Sequence, residues 1–211
     1  MATRREQNRE TTRRAILQAA RQAFGRGGFE AAGLVDIARG ARVTTGAIYH
    51  HFGDKRGLFR HVAETIEGEI LAALGRILGE VADPWDRLVA AVLGSLELCR
   101  DPELRQIIFL DAPDVIGASE WREIEQRFAY GALCQMLVGL QDAGRLRPVS
   151  VTVLAPMVLG AMIEAAGAVA GSAEPDQALD EARDALRLML EAYKAPVGEG
   201  GSGGAPPPGR P

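Results

Sequence analysis

A chain of 211 residues that is 47% hydrophobic has the apolar surface for a sizeable core and is not a disordered segment; its two cysteines, Cys99 and Cys134, exclude a disulfide scaffold or a zinc cluster. The net charge of -4 hides an asymmetry: residues 1–60 hold 12 Lys and Arg against 5 Asp and Glu, whereas residues 61–211 hold 12 against 23. A basic first quarter on an acidic body points the N-terminal end at a polyanion, the plainer reading being a solvated basic arm.

The opening residues Arg4, Arg5, Glu6, Asn8 and Arg9 lead into more charge rather than an apolar run, so no signal peptide is expected and a reducing cytoplasm is the default location. Strand formers seldom alternate in period two, which predicts an all-α protein. Thr11 or Thr12 is placed to cap a first helix whose Ile16, Ala19, Ala20, Ala23 and Phe24 recur at helical spacing, with Gly25, Gly27 and Gly28 ending it. Leu34, Ile37 and Ala38 give a short second helix its inward face. Val43 falls in a turn, and Thr44 is a natural N-cap for a third helix.

The face that this third helix shows to solvent follows from 100° per residue. With Ile48 pointing inward, Thr44 and Phe52 lie within about 40° of it, and Gly46 and His50 lie nearly opposite, flanked by Ala47 and Tyr49. Outward residues are therefore Thr45, Gly46, Ala47, Tyr49 and His50. Small side chains at a helix start let the backbone approach base edges closely, and a threonine hydroxyl exchanges hydrogen bonds with a base or touches a thymine methyl. Tyr49 and His50 have the reach and the donors for phosphate oxygens. Asp54 caps a fourth helix, and Lys55 at its start combines a cation with free amides, a good phosphate seat.

These residues resemble the DNA-binding domain of the TetR (tetracycline-repressor) family of bacterial regulators. The likeness runs from about Ile16 to Phe59, through AARQAF, GGF and DIA, and is most specific in TTGAIYHHF followed by DK and LF. It implies that Thr45, Gly46 and Ala47 face bases and that Tyr49, His50 and Lys55 hold the backbone. It also implies a homodimer with a C-terminal ligand-binding and dimerisation domain. Three departures bear on the operator and the affinity rather than the fold. Arg42 stands where the family usually has a turn glycine, so either the turn dispenses with a positive φ or Arg42 accepts the strain while adding a phosphate contact. Ala32 and Gly33 replace the usual hydroxyl cap of the second helix, and Thr45 replaces a frequent lysine.

Downstream, Leu58, Phe59, Val62, Ile66, Ile70, Leu74 and Ile77 extend one long helix to about Val81. Asp83-Pro84 and Asp101-Pro102 each set a capping acid before a proline, so each starts a helix. Leu104 to Leu110 is a short apolar segment closed by Pro113. Ser119 is the expected cap of a long amphipathic helix ending near Gly144. Val151 to Gly171 is long and apolar enough for a membrane span, but Pro156, Glu164 and many small residues favour a buried, closely packed helix. A last amphipathic helix carries Leu179, Ala182, Leu186, Met189, Leu190 and Tyr193. Paired with the small-residue helix, it suits a four-helix dimer interface built on Leu179, Ala182, Leu186, Met189 and Leu190. Residues 196–211 read as a flexible tail.

The resulting division is a helix-turn-helix domain over 1–53, a helical ligand-binding and dimerisation domain over 54–195, and the tail. Phe109, Trp121, Phe128, Tyr130 and Met162 are candidate ligand contacts, with plain core packing as the duller reading. Glu164 in its apolar helix meets either an arginine across an interface or a ligand. His50, His51 and His61 do not share a helical face with a carboxylate, so neither a metal nor another cofactor is expected. The function these observations favour is a ligand-responsive regulator, a repressor released from an inverted-repeat DNA operator by a small-molecule effector. A non-specific architectural DNA binder is the main rival. A small helical enzyme has neither a phosphate loop nor a nucleophile set to support it.

Overall fold

The computed structural model describes residues 4–196, so the sequence expectation for the tail falls, beyond Pro196, outside the described residues. Eleven α-helices account for most of those residues, with no strand among them.

Helix α1 (Arg4–Ala31) begins earlier than its threonines suggest. Residues 4–10 are good helix formers apart from Asn8, and Thr11 lies inside the helix with its hydroxyl donating back to the Gln7 carbonyl at 2.8 Å, so neither threonine is the cap. Ile16, Ala20 and Phe24, at i, i+4 and i+8, are fully buried. Gly25 and Gly27 do not end the helix. Its break is at Gly28 (φ 74°), a conformation that favours glycine.

Helix α2 (Leu34–Ala41) packs against α1, and α3 (Thr45–Phe52) packs against α2 and against α4 (Lys55–Gly79), which itself lies on α1. At about 1.5 Å per residue α4 is on the order of 37 Å long, and it runs from the helix-turn-helix into the body of the protein. Its first turns, Leu58, Phe59 and Val62, share a core with Phe24, Ile37, Ile48 and Phe52, so the packing of the N-terminal unit continues past residue 53.

Both aspartate caps form. Asp83 accepts from the Trp85 and Asp86 amides at 2.9 and 3.0 Å and starts α5 (Pro84–Glu97). Asp101 accepts from Glu103 and Leu104 at 2.8 and 3.2 Å and starts α6 (Pro102–Leu104). The chain then widens into a π-helical segment, Arg105–Asp111, before α7 (Ala112–Ile116) and α8 (Ala118–Glu125). Gly117, not Ser119, occupies the cap position of α8, with φ 95° and no side-chain hydrogen bond. A second π-helical segment, Gln126–Tyr130, joins α8 to α9 (Gly131–Asp142), and Gly144 (φ 65°) closes that run.

Helix α10 (Val151–Gly171) is long and apolar enough to cross a membrane by length and composition. In the fold it packs against α5, α9 and α11 (Pro175–Glu191), with Leu154, Ala155, Val158 and Leu159 buried. Two apolar clusters result: one joins α1–α4 to α6–α8, and the other joins α5 to α9–α11. Phe109, on the first π-helical segment, packs against both.

Candidate nucleic-acid interface and internal cavity

The turn between α2 and α3 is held by backbone bonds from Arg42 to the Arg39 carbonyl (3.1 Å) and from Val43 to the Ala38 carbonyl (3.0 Å). This left-handed closure places Arg42 at φ 56°, ψ 41°, the only non-glycine residue with positive φ among those described. The turn keeps the geometry that glycine would give it, and Arg42 carries the strain, with its side chain exposed. At Gly33 the second helix has no side-chain cap.

Thr44 caps α3, its Oγ1 accepting from the Ala47 amide at 3.3 Å, which leaves the hydroxyl proton free for a phosphate oxygen. Ile48 (0% exposed) and Phe52 (7%) anchor the helix inward. Gly46, Tyr49 and His50 are exposed and Thr45 and Ala47 half-exposed, so the five residues form one accessible face. Asp54 accepts from the Gly57 amide at 2.6 Å. Lys55 lies over the Phe29 ring (4.4 Å to the centroid) and donates to the Glu30 carbonyl at 3.2 Å, tying the end of α1 to the start of α4. One committed donor leaves Lys55 two more for a phosphate.

The sequence pattern of α3 gave no sign of two arginines from α1 beside it. Arg13 lies over the Phe52 ring at 5.7 Å. Burial, then His50, Arg9 and Arg13, hold the His51 imidazolium below its ordinary range against the opposing charge of Glu10. The end of the exposed face is therefore more basic than α3 alone.

Behind this unit lies an apolar cavity in two joined lobes, of about 530 and about 110 Å³, which share Leu71, Leu74, Ala129, Leu159 and Met162. Phe109, Phe128 and Met162 line it, as two π-helical segments turn their side chains inward. Trp121 instead fills the core between α4, α7 and α8, Tyr130 is directed toward Cys134, and Glu164 is exposed; none of the three lines the cavity. Two acids that the sequence did not single out do line it. Burial pushes Glu67 up to about 7. Burial, then the charge of Glu67 and to a lesser degree Glu164, pushes Glu125 up to about 7, opposed by Arg122 and Trp121.

Residues 16–62 match the family model of bacterial regulatory proteins of the tetR family, and residues 85–193 match the tetracyclin repressor-like C-terminal domain. The chain belongs to the TetR family. Among TetR-family relatives, the HTH-type transcriptional repressor BepR of Brucella suis biovar 1 is 37% identical over 101 residues, 46% of this chain and 47% of that protein. The chain thus spans about half the length of the curated relatives it matches. The crystal structure of a TetR-family transcriptional regulator from Pectobacterium atrosepticum aligns over 92% of this chain and 98% of its own, with a TM-score of 0.83 and 28% identity. FadR of Bacillus subtilis, crystallised in complex with stearoyl-CoA, shares the TetR fold at a TM-score of 0.66 and 19% identity, over 85% of this chain and 98% of its own.

The residues expected at an interface on the last helix lie in or against the core of a single protomer. Leu179, Leu186 and Leu190 are buried in the protomer's own core, and Ala182 and Met189 are packed against it. The 3.6-residue period identified the inward face of α11 and says nothing of which apolar face meets a second chain. The large apolar residues exposed on these two helices are Val153 and Met157 on α10 and Leu188 on α11. Farther along α10, Gly160 and Gly167 face open space.

Proposed function

We propose that this TetR-family chain is a cytoplasmic, DNA-binding transcriptional regulator, a repressor that acts as a homodimer on an inverted-repeat operator and is released by a small-molecule effector. One observation carries the reading: the accessible face formed by Thr45, Gly46, Ala47, Tyr49 and His50 on a helix pinned through Ile48 and Phe52. Small residues occupy the helix start, where it would meet base edges. Tyr49, His50, Arg42, Thr44 and Lys55 surround them with donors for phosphates. The exposed Val153, Met157 and Leu188, with open space beside Gly160 and Gly167, supply an apolar surface for pairing α10 and α11 across a two-fold axis.

The cavity is the effector site in this reading. Its walls include α4, which begins at the recognition unit, and the segment Arg105–Asp111, whose last residue holds the Phe29 amide at the end of α1. Arg56 near the start of α4 donates to the Val115 and Ile116 carbonyls at 2.8 and 2.6 Å. Effector binding favours a placement of α4 in which the two recognition helices no longer match successive major grooves, and the DNA-free population grows accordingly.

Binding to operator-like and scrambled duplexes at matched salt tests the core of this. The regulator discriminates between them, whereas an architectural binder holding only phosphates binds both alike. Equal affinity would overturn the reading.

A further inference from the structure

We infer that the effector is a lipophilic cation: an apolar body in the outer lobe of the cavity, with an amine or quaternary ammonium group seated in the inner lobe against Glu67 and Glu125. The inference rests on the cavity being the effector site, as proposed above.

The polar inventory of the cavity carries the argument. Glu67 and Glu125 are the charged residues that line the inner lobe, and no hydrogen bond or ion pair engages the Glu67 carboxyl among the described residues. Ser95, also in the lining, donates its hydroxyl to the Val92 carbonyl at 2.7 Å. The outer lobe has one charged lining residue, Arg87, and its guanidinium is committed to the Val81 carbonyl through two bonds of 3.0 and 2.6 Å. The outer lobe also holds the neutral amide of Gln135, and the remaining lining of both lobes is apolar, with Phe109 and Phe128 beside the two acids.

Three ligand classes then separate. An anion would meet two carboxylates in a low-dielectric lobe and find no free cation there. A neutral apolar ligand would complete the burial of Glu67 and leave its carboxyl, protonated or not, without a hydrogen-bond partner, which is costly for a polar group. A cation offsets both carboxylates beside the aromatic side chains of Phe109 and Phe128. Other charges reach this lobe from each neighbouring element. Glu164 on α10 adds to the negative field, Arg122 on α8 opposes it, and Arg127 lies over Phe128 but pairs with Glu64 at 3.1 Å.

A protonic consequence follows. Because burial pushes both carboxyls up to about 7, a seated cation favours their ionised forms and displaces protons from the protonated fraction. Cation affinity therefore rises as pH rises through about 7, and binding at neutral pH releases a proton.

Calorimetric titration of the full chain with decyltrimethylammonium, decyl sulfate and decanol, which share one tail, tests the charge assignment. The cation is expected to bind at least about tenfold more tightly than the other two, more tightly at pH 8 than at pH 6, with a heat that varies with buffer ionisation. Glu67→Gln, and independently Glu125→Gln, lowers cation affinity about tenfold while leaving decanol binding unchanged. Decanol or decyl sulfate binding as tightly as the cation, or undiminished cation binding in both variants, overturns the proposal. Met162→Trp and Ala129→Leu fill the shared wall of the two lobes and separate this failure from that of the cavity reading. If decanol binding is lost in these variants but the cation is not preferred, only the charge class is wrong. If binding survives in both, or if no probe binds the parent protein, the cavity is not the effector site and both readings fall.

Discussion

The backbone N–H of Phe29 donates to Asp111 Oδ2 at 2.7 Å, joining residues 82 positions apart in the chain. Asp111 Oδ1 accepts from the Gln106 side chain at 2.9 Å, so one carboxylate fixes both the kink of α1 at Gly28 and the π-helical segment beside the cavity. Asp111→Ala should cost about 1–3 kcal/mol in urea denaturation, because it leaves the half-buried Phe29 amide without its acceptor. It should also reduce the effect of a bound ligand on DNA affinity, since the wall of the cavity no longer grips the recognition unit. A variant with full stability would show that this link is not a structural tie.

Arg42 offers a change in which stability and binding move in opposite directions. Its left-handed backbone costs about 1 kcal/mol relative to glycine, so Arg42→Gly should raise the unfolding free energy by that order. If the exposed guanidinium meets a phosphate, the same change weakens DNA binding for all sequences and makes the salt dependence shallower by about one ion. Salt titration of duplex binding measures the slope.

Tyr49 and Thr45 separate grip from readout. Tyr49 is 53% exposed, and Tyr49→Phe should weaken operator and scrambled duplex alike, by about 1 kcal/mol, through loss of a phosphate donor. Thr45→Ala should instead alter the preference between base sequences by a similar amount. Competition between duplexes that differ at single positions distinguishes the two. Unchanged binding in both variants would refute the assignment of this face to DNA.

The recognition unit was legible in the sequence because its rules are local. The 100° step placed Ile48 and Phe52 inward, and Thr44 and Asp54 are caps that a side chain and nearby amides determine by themselves. What could not be read locally depends on what a helix face meets. The same periodicity that identified Leu179, Leu186 and Leu190 could not distinguish the protomer's core from a partner. Glu67 was overlooked for a related reason. It lies beside the apolar stripe read on α4, and its place in a cavity wall becomes visible only once α5, α7 and the segment Gln126–Tyr130 are packed against that helix. The π-helical turns that aim Phe109 and Phe128 have no local sequence signal comparable to a cap.

The two buried acids predict a pH dependence of folding. A carboxyl raised from its ordinary 4.5 to about 7 binds more protons folded than unfolded between those values, so stability falls as pH rises through that window. Glu67→Gln removes one such group. Its melting temperature should match that of the parent protein only well below pH 4.5, where the parent carboxyl is protonated in both states, and exceed it at pH 8. Parallel melting curves across the range would mean that Glu67 is well solvated in the folded protein.

Leu188 tests the relocated dimer face. It is 73% exposed on α11, and replacing an exposed leucine should alter the folding free energy of the protomer by no more than about 0.5 kcal/mol. In a dimer that packs α10 and α11 against their symmetry mates, Leu188→Glu sets two carboxylates near the two-fold axis and desolvates them, which opposes association. Sedimentation should then show a folded monomer, melting below the parent only by the stabilisation that dimerisation supplies. Loss of the second recognition helix removes the avidity of an inverted repeat, so operator affinity should fall by at least about a hundredfold while binding to an isolated half-site is unchanged. A variant that remains dimeric would place the interface elsewhere, and a monomer that retains full operator affinity would remove the need for a two-fold reader.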